Sequence, residues 1–163
     1  MKKLILLFLC ALLMLSLISC DSSSTTTSGS STKSQNDEKS FYELVVTTQD
    51  LLDSYADDIY SCWYDYVYED EYSSVDSAIL SAMLLNSDNI ETIETNNESI
   101  KELYKKAKEG DLSAELKDVM QAYNDYYALV MEVSGSFTSF SQNKETLKKE
   151  LSSALKNLEF ELD

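Results

Sequence analysis

The chain has 163 residues, with 13 basic and 29 acidic side chains and a formal charge of −16. It contains no His, no Pro and no Arg, so every basic residue is Lys. These absences exclude imidazole-activated Ser or Cys nucleophiles, His metal ligands and the bidentate guanidinium fork for phosphate or carboxylate, and the acidity argues against a nucleic-acid partner; carboxylate-pair and Ser–Lys chemistry stay open.

Met1-Lys2-Lys3 precedes an apolar run from Leu4 to Ile18, broken only by Ser16. The run is shorter than the roughly 20 residues a permanent membrane span needs, and the layout is that of an export signal. It closes on Leu17-Ile18-Ser19-Cys20, a tetrad that resembles the lipobox of bacterial lipoprotein precursors. The resemblance implies a signal peptide over 1–19, cleavage of the Ser19–Cys20 bond, and a diacylglyceryl group on the Cys20 sulfur carrying palmitate-type chains. It therefore implies a lipid anchor on the extracytoplasmic face of the cell membrane. Two acyl chains hold a protein firmly where one holds it marginally. Loss of Lys2 and Lys3 with the signal takes the formal charge from −16 to −18. Cys10 leaves too and Cys20 is capped, so Cys62 is the one thiol left. It suits a small buried apolar role, with an intermolecular disulfide as the sharper alternative.

Residues 20–40 are dominated by Ser and Thr and read as a lipidated cysteine followed by a coil-like tether, about 25 Å long on average. Residues 41–163 form the folded unit. Its size supports one core, and its lack of Pro favours long helices.

The first helix is predicted to start at Ser40, where Ser40 and Glu43 have capping-box spacing. Leu44, Thr48, Leu51, Leu52, Tyr55, Ile59, Cys62, Trp63 and Tyr66 share one helical face, and Glu69-Asp70-Glu71 ends it. The segment 59–68 is also rich in strand formers, but the stripe favours helix. Val75–Leu85, capped by Ser73 or Ser74, is near-continuously apolar and reads as a buried helix. A break is expected over 86–89, then a capping box at Thr95 and Glu98 leading into Ile100, Leu103, Tyr104 and Ala107. Gly110 serves as the stop and Asp111 as the next N-cap. Leu112, Leu116, Val119, Met120, Tyr123, Tyr126, Tyr127, Val130 and Val133 make the next stripe, ended by Gly135. Leu147, Leu151, Ala154, Leu155, Leu158 and Leu162 mark the last helix. The fold class is all-α, an antiparallel bundle of four to five helices.

Tyr60, Tyr64 and Tyr68 recur at i, i+4, i+8 and point away from the apolar stripe, on the side of Asp53, Asp57 and Glu71. Such a row suits an interaction surface of Tyr60, Tyr64, Tyr68 and Asp57, gripping a protein or holding a cation. The alternative is a first helix buried on two sides. Asp57-Asp58, Glu69-Asp70-Glu71 and Asp88-Asn89-Glu91 lack EF-hand spacing, so no metal and no cofactor is expected. Lys105, Lys106, Lys108, Lys148 and Lys149 fit helix-end preferences and the pairs Glu102–Lys106 and Glu145–Lys149.

Ser134-Gly135-Ser136, followed by Phe137 and Phe140 and preceded by Tyr123-x-x-Tyr126-Tyr127, together with Trp63, resembles small helical lipoproteins of Firmicutes and their prophages. Those usually carry Pro where Val133 stands here. The resemblance implies no catalytic residue. The expected function is an anchored, extracytoplasmic helical binding domain, not an enzyme. Its partner would be a surface or cell-wall protein, and exclusion of a second phage is one version. The alternatives are a carboxylate-pair hydrolase of cell-wall glycans and a plain spacer.

Overall fold

In the computed structural model the described residues are 31–162, all helix and short connections. Leu17–Cys20, the signal peptide and the tether up to Ser30 lie outside them. The helices are α1 (Ser31–Tyr68), α2 (Val75–Leu85), α3 (Ser87–Ala107), α4 (Ser113–Met131) and α5 (Phe137–Leu162).

Cross-helix bonds set the register. Asn86 Nδ2 donates to Asp58 (2.7 Å), Asn96 Nδ2 to Thr48 Oγ1 (3.1 Å), and Phe41 meets Tyr104. As α3 advances its partners retreat along α1, so the two are antiparallel. Lys144 pairs with Asp57, Lys148 with Asp53 (3.0 Å), and Gln49 Nε2 donates to Ser152 Oγ (2.7 Å), which makes α5 antiparallel to α1 as well. The order is an up-down-up-down bundle of α1, α3, α4 and α5, with α2 a short helix laid on the C-terminal end of α1. Helix α1 touches all four others.

The core is the meeting of these stripes. Phe41, Val45, Leu52, Ala56 and Ile59 of α1 face Ile93 and Ile100 of α3, Leu116, Val119, Tyr123, Tyr126 and Val130 of α4, and Phe140, Leu151, Leu155 and Leu158 of α5. Cys62 is buried and reduced, with the Tyr72 hydroxyl 3.5 Å from its sulfur. Buried polar groups are partnered: Thr48 donates to the Leu44 carbonyl (2.7 Å) and the Tyr123 hydroxyl to Asn97 (3.4 Å). Satisfying such groups is what makes their burial tolerable.

Several boundaries differ from expectation. Helix α1 begins at Ser31, so part of the expected tether, residues 31–40, is helical and Ser40 is interior. No Gly or Pro interrupts this stretch, and Glu38 is buried one turn before Phe41, extending the stripe backwards. The far end agrees: α1 stops at Tyr68, and Asp70 takes the left-handed conformation (φ 56°). The Glu69 and Glu71 amides both reach back to the Asp65 carbonyl (3.0 and 3.4 Å), closing the helix end. Helix α2 has the expected bounds, with Ser74 as N-cap in a reciprocal box with Ser77.

The break at 86–89 shrinks to Asn86, and α3 starts at Ser87. Thr95 is therefore no cap; its hydroxyl bonds the Glu91 carbonyl within the helix (2.9 Å). Asn86 makes this corner feasible by bonding both Asp58 and the Ala82 carbonyl. Helix α3 ends at Ala107, before Gly110, and Leu112 rather than Asp111 holds the N-cap position of α4. Glu102 pairs with Lys105 (2.7 Å) instead of Lys106. At the α4–α5 turn Gly135 has φ +85°, and Ser136 and Ser139 form a second reciprocal serine box that starts α5.

Candidate functional site

Two surfaces converge near the C-terminal end of α1. The first is the tyrosine row. Tyr60 and Tyr64 have ring centroids 6.3 Å apart, and Tyr64 and Tyr68 4.7 Å apart, as the i, i+4 spacing requires. Phe137, from the first turn of α5, sits among all three at 5.2 Å, 6.2 Å and 6.0 Å, and also meets Trp63 at 6.1 Å. Exposure grows along the row: Tyr60 is half-buried, Tyr64 is 38% exposed and Tyr68 61%.

The cation at this row is the chain's own. Lys144 Nζ lies 4.9 Å from the Tyr60 centroid and pairs with Asp57, while Lys144 itself is buried. A desolvated ammonium over an aromatic face, neutralised by a carboxylate, is a stable arrangement. Asp53 is likewise occupied. It accepts from the Tyr126 hydroxyl (2.6 Å) and pairs with Lys148. That hydrogen bond holds the Lys148 ammonium protonated, raising its pKa. Burial, reinforced by the bond to Asp53, pushes the Tyr126 phenol well above its ordinary pKa; burial does the same for Tyr123. The side of α1 read from the sequence as a ligand surface is thus largely the seam against α5. The lysines that fill it lie more than 80 positions along the chain, beyond the reach of helical periodicity.

The second surface was not foreseen. Helix α2, expected to be buried, buries only Ala78 and Ala82. Its large side chains face outwards: Leu80 is 55% exposed, Met83 44%, Leu84 70% and Leu85 70%. Small residues at i, i+4 let α2 lie close on α1, and the bulky positions take the outer face. Val67 and Tyr68, near the end of α1, are exposed as well. Between α2 and the α4–α5 turn lies a cleft of about 260 Å³ whose lining includes Trp63, Val75, Ile79, Leu80, Met83 and Val133.

Charge is divided along the bundle. No basic residue occurs between Lys39 and Lys101, a stretch holding fourteen acidic ones. By the register above, Lys39, Lys101, Lys105, Lys106, Lys108, Lys117 and Lys156 belong to the half near Ser31, and Lys144, Lys148 and Lys149 to the middle. Among the described residues, the cation nearest the cleft end is Lys144, and the charges beyond it are carboxylates. This asymmetry was legible in the sequence; its coincidence with exposed leucines was not.

Among the described residues, no three Asp, Glu or Cys side chains gather as metal ligands, and no helix is long and apolar enough to cross a membrane. A further hollow of about 320 Å³ between α4 and α5 is lined by Glu115, Asp118, Glu161 and the exposed Phe160. The fold and surface define an all-helical up-down bundle with an acid-rimmed apolar cleft at one end. The chain matches no family model, no curated protein and no solved structure.

Proposed function

We propose that this chain is the precursor of an extracytoplasmic lipoprotein, held to the cell membrane by a diacylglyceryl group on Cys20, whose helical bundle is a protein-binding module. The observation that carries the binding half is the contiguous apolar face of α2. Exposed apolar residues scattered singly mean little, but a contiguous patch beside a cleft marks an interaction site. A strongly acidic, solubilising surface makes such a patch more telling.

The anchoring half rests on Leu17-Ile18-Ser19-Cys20 and the apolar run before it. Its geometry is self-consistent. The chain from Cys20 joins α1 at Ser31, at the end of the bundle opposite the cleft. The cleft lies roughly 50 Å further along α1 at 1.5 Å per residue, facing away from the anchor. Tyr60 and Asp57 serve the α1–α5 seam, and Tyr68 lies exposed beside Phe137. A binding role is favoured over an enzyme because the carboxylates facing other helices, Asp53, Asp57 and Asp58, are engaged by Lys148, Lys144 and Asn86.

The test is Cys20→Ala in a bacterial host fed labelled palmitate. The expected outcome is loss of label, accumulation of the longer precursor and release from lipid-anchored processing. A Cys20→Ala chain that is still cut and still membrane-bound would overturn the anchored reading. For the phage-exclusion version, expression in a sensitive host should reduce adsorption or DNA entry; unchanged infection would remove that version.

A further inference from the structure

We infer that the cleft between α2 and the α4–α5 turn docks a cationic amphipathic polypeptide segment, its apolar side chains on Leu80 and Met83 and its lysines or arginines on Asp76 and the neighbouring carboxylates. The inference rests on the binding-module reading and is independent of the anchor.

Three observations select this occupant. The seat is apolar and partly uncovered: Leu80 is 55% exposed and Met83 44%, and the cleft lining reaches the Trp63 ring. The rim is of one sign. Asp76 lies in the lining, Glu132 adjoins the lining residue Val133, and Glu69, Asp70 and Glu71 are exposed in the connection leading to Val75. The nearest cation, Lys144, is committed to Asp57 and to the Tyr60 face. An apolar groove bordered by like charges recognises a helix with apolar anchors on one face and opposite charges beside them.

The rival occupants fit less well. A second copy would bring the same carboxylates against each other across an isologous contact, where like charges are costly. An anionic membrane surface is repelled by the same rim, and the cleft lies at the end remote from the segment leading to Cys20. A small molecule is poorly served, since about 260 Å³ of open cleft falls below the usual range for enclosed ligand sites.

The experiment uses the full chain in phosphatidylcholine nanodiscs and two synthetic peptides of about 18 residues, five helical turns. Both carry Leu on one face; the other face is Lys in one and Glu in its control. The Leu/Lys peptide should bind with micromolar affinity above the level of empty discs, weakening severalfold as salt rises from about 0.05 to about 0.5 M. The Leu/Glu peptide should not bind. Leu80→Ser with Met83→Ser should weaken binding by about tenfold or more. Both positions are exposed, so helix content and Tm should be retained. A second variant, Asp76→Asn with Glu132→Gln, alters charge alone and should weaken binding by about threefold or more.

Equal binding of both peptides, or unchanged affinity in both variants, would overturn the inference. So would dimerisation, or binding of phosphatidylglycerol vesicles, abolished by the Leu80/Met83 substitutions. A chain lipidated at Cys20 that ignores the Leu/Lys peptide would sink this inference and leave the anchored reading standing. A Cys20→Ala chain that is still cut and still membrane-bound, and still binds the Leu/Lys peptide, would do the reverse.

Discussion

Two backbone positions decide how the bundle turns, and they call for opposite substitutions. Gly135 sits at φ +85°, and a Cβ there would lie 3.0 Å from Ser139 Oγ, one partner of the serine box that starts α5. Gly135→Ala should lower stability by about 1–2 kcal/mol. Asp70 occupies the left-handed region at the end of α1 without being glycine. Asp70→Gly should raise stability by about 1 kcal/mol. Denaturant unfolding of the two variants beside the parent checks both signs. A drop in stability for Asp70→Gly would mean that the aspartate carries an interaction the geometry does not reveal. Gly135 was readable as a helix stop from the sequence. Asp70 was readable only as part of an acidic end, because residues other than glycine give little warning of a positive φ.

At the scale of elements, α2 and α4 show what periodicity can and cannot tell. Helix α4 has a clean stripe of Leu116, Val119, Tyr123, Tyr126 and Val130, and all five are buried. The polar ends of its tyrosines find partners across the bundle. Tyr126→Phe removes the hydroxyl bonded to Asp53 and should cost about 1–2 kcal/mol; a loss near zero would show that Lys148 alone satisfies Asp53. Helix α2 has no stripe, since nearly every position from Ala78 to Leu85 is apolar. Uniform hydrophobicity does not say which face is inside, and the small residues took it. The contrast gives a prediction: Leu155→Ala in α5 should destabilise by about 2–5 kcal/mol, while Leu84→Ala in α2 should change stability by less than about 0.5 kcal/mol. Thermal unfolding of the pair measures it. A large loss at Leu84 would place that side chain in the core.

For the whole molecule, titration and charge placement matter most. Tyr123 and Tyr126 hold their phenols above the ordinary pKa of about 10. Above that pH the unfolded chain releases these protons while the folded chain retains them, so the folded state binds more protons and stability falls as pH rises. Their contribution is complete below about pH 10 and is lost progressively above it. Melting at successive pH values should show that alkaline loss, and Tyr126→Phe should make the slope shallower. An unchanged slope in that variant would assign the loss to other groups.

What the sequence determined by itself was the helical class, the approximate place of every connection, and the export and lipidation expectation at Leu17–Cys20. These follow from local chemistry: missing Pro, spaced apolar residues, capping serines and a short apolar run behind two lysines. The tertiary structure alone decided where α1 begins, which face of α2 is inside, and that Lys144 and Lys148 fill the carboxylate side of α1. Those outcomes depend on pairs of residues far apart in the chain. A local pattern can mark a side chain as apolar or charged, but only packing decides whether another helix already covers it.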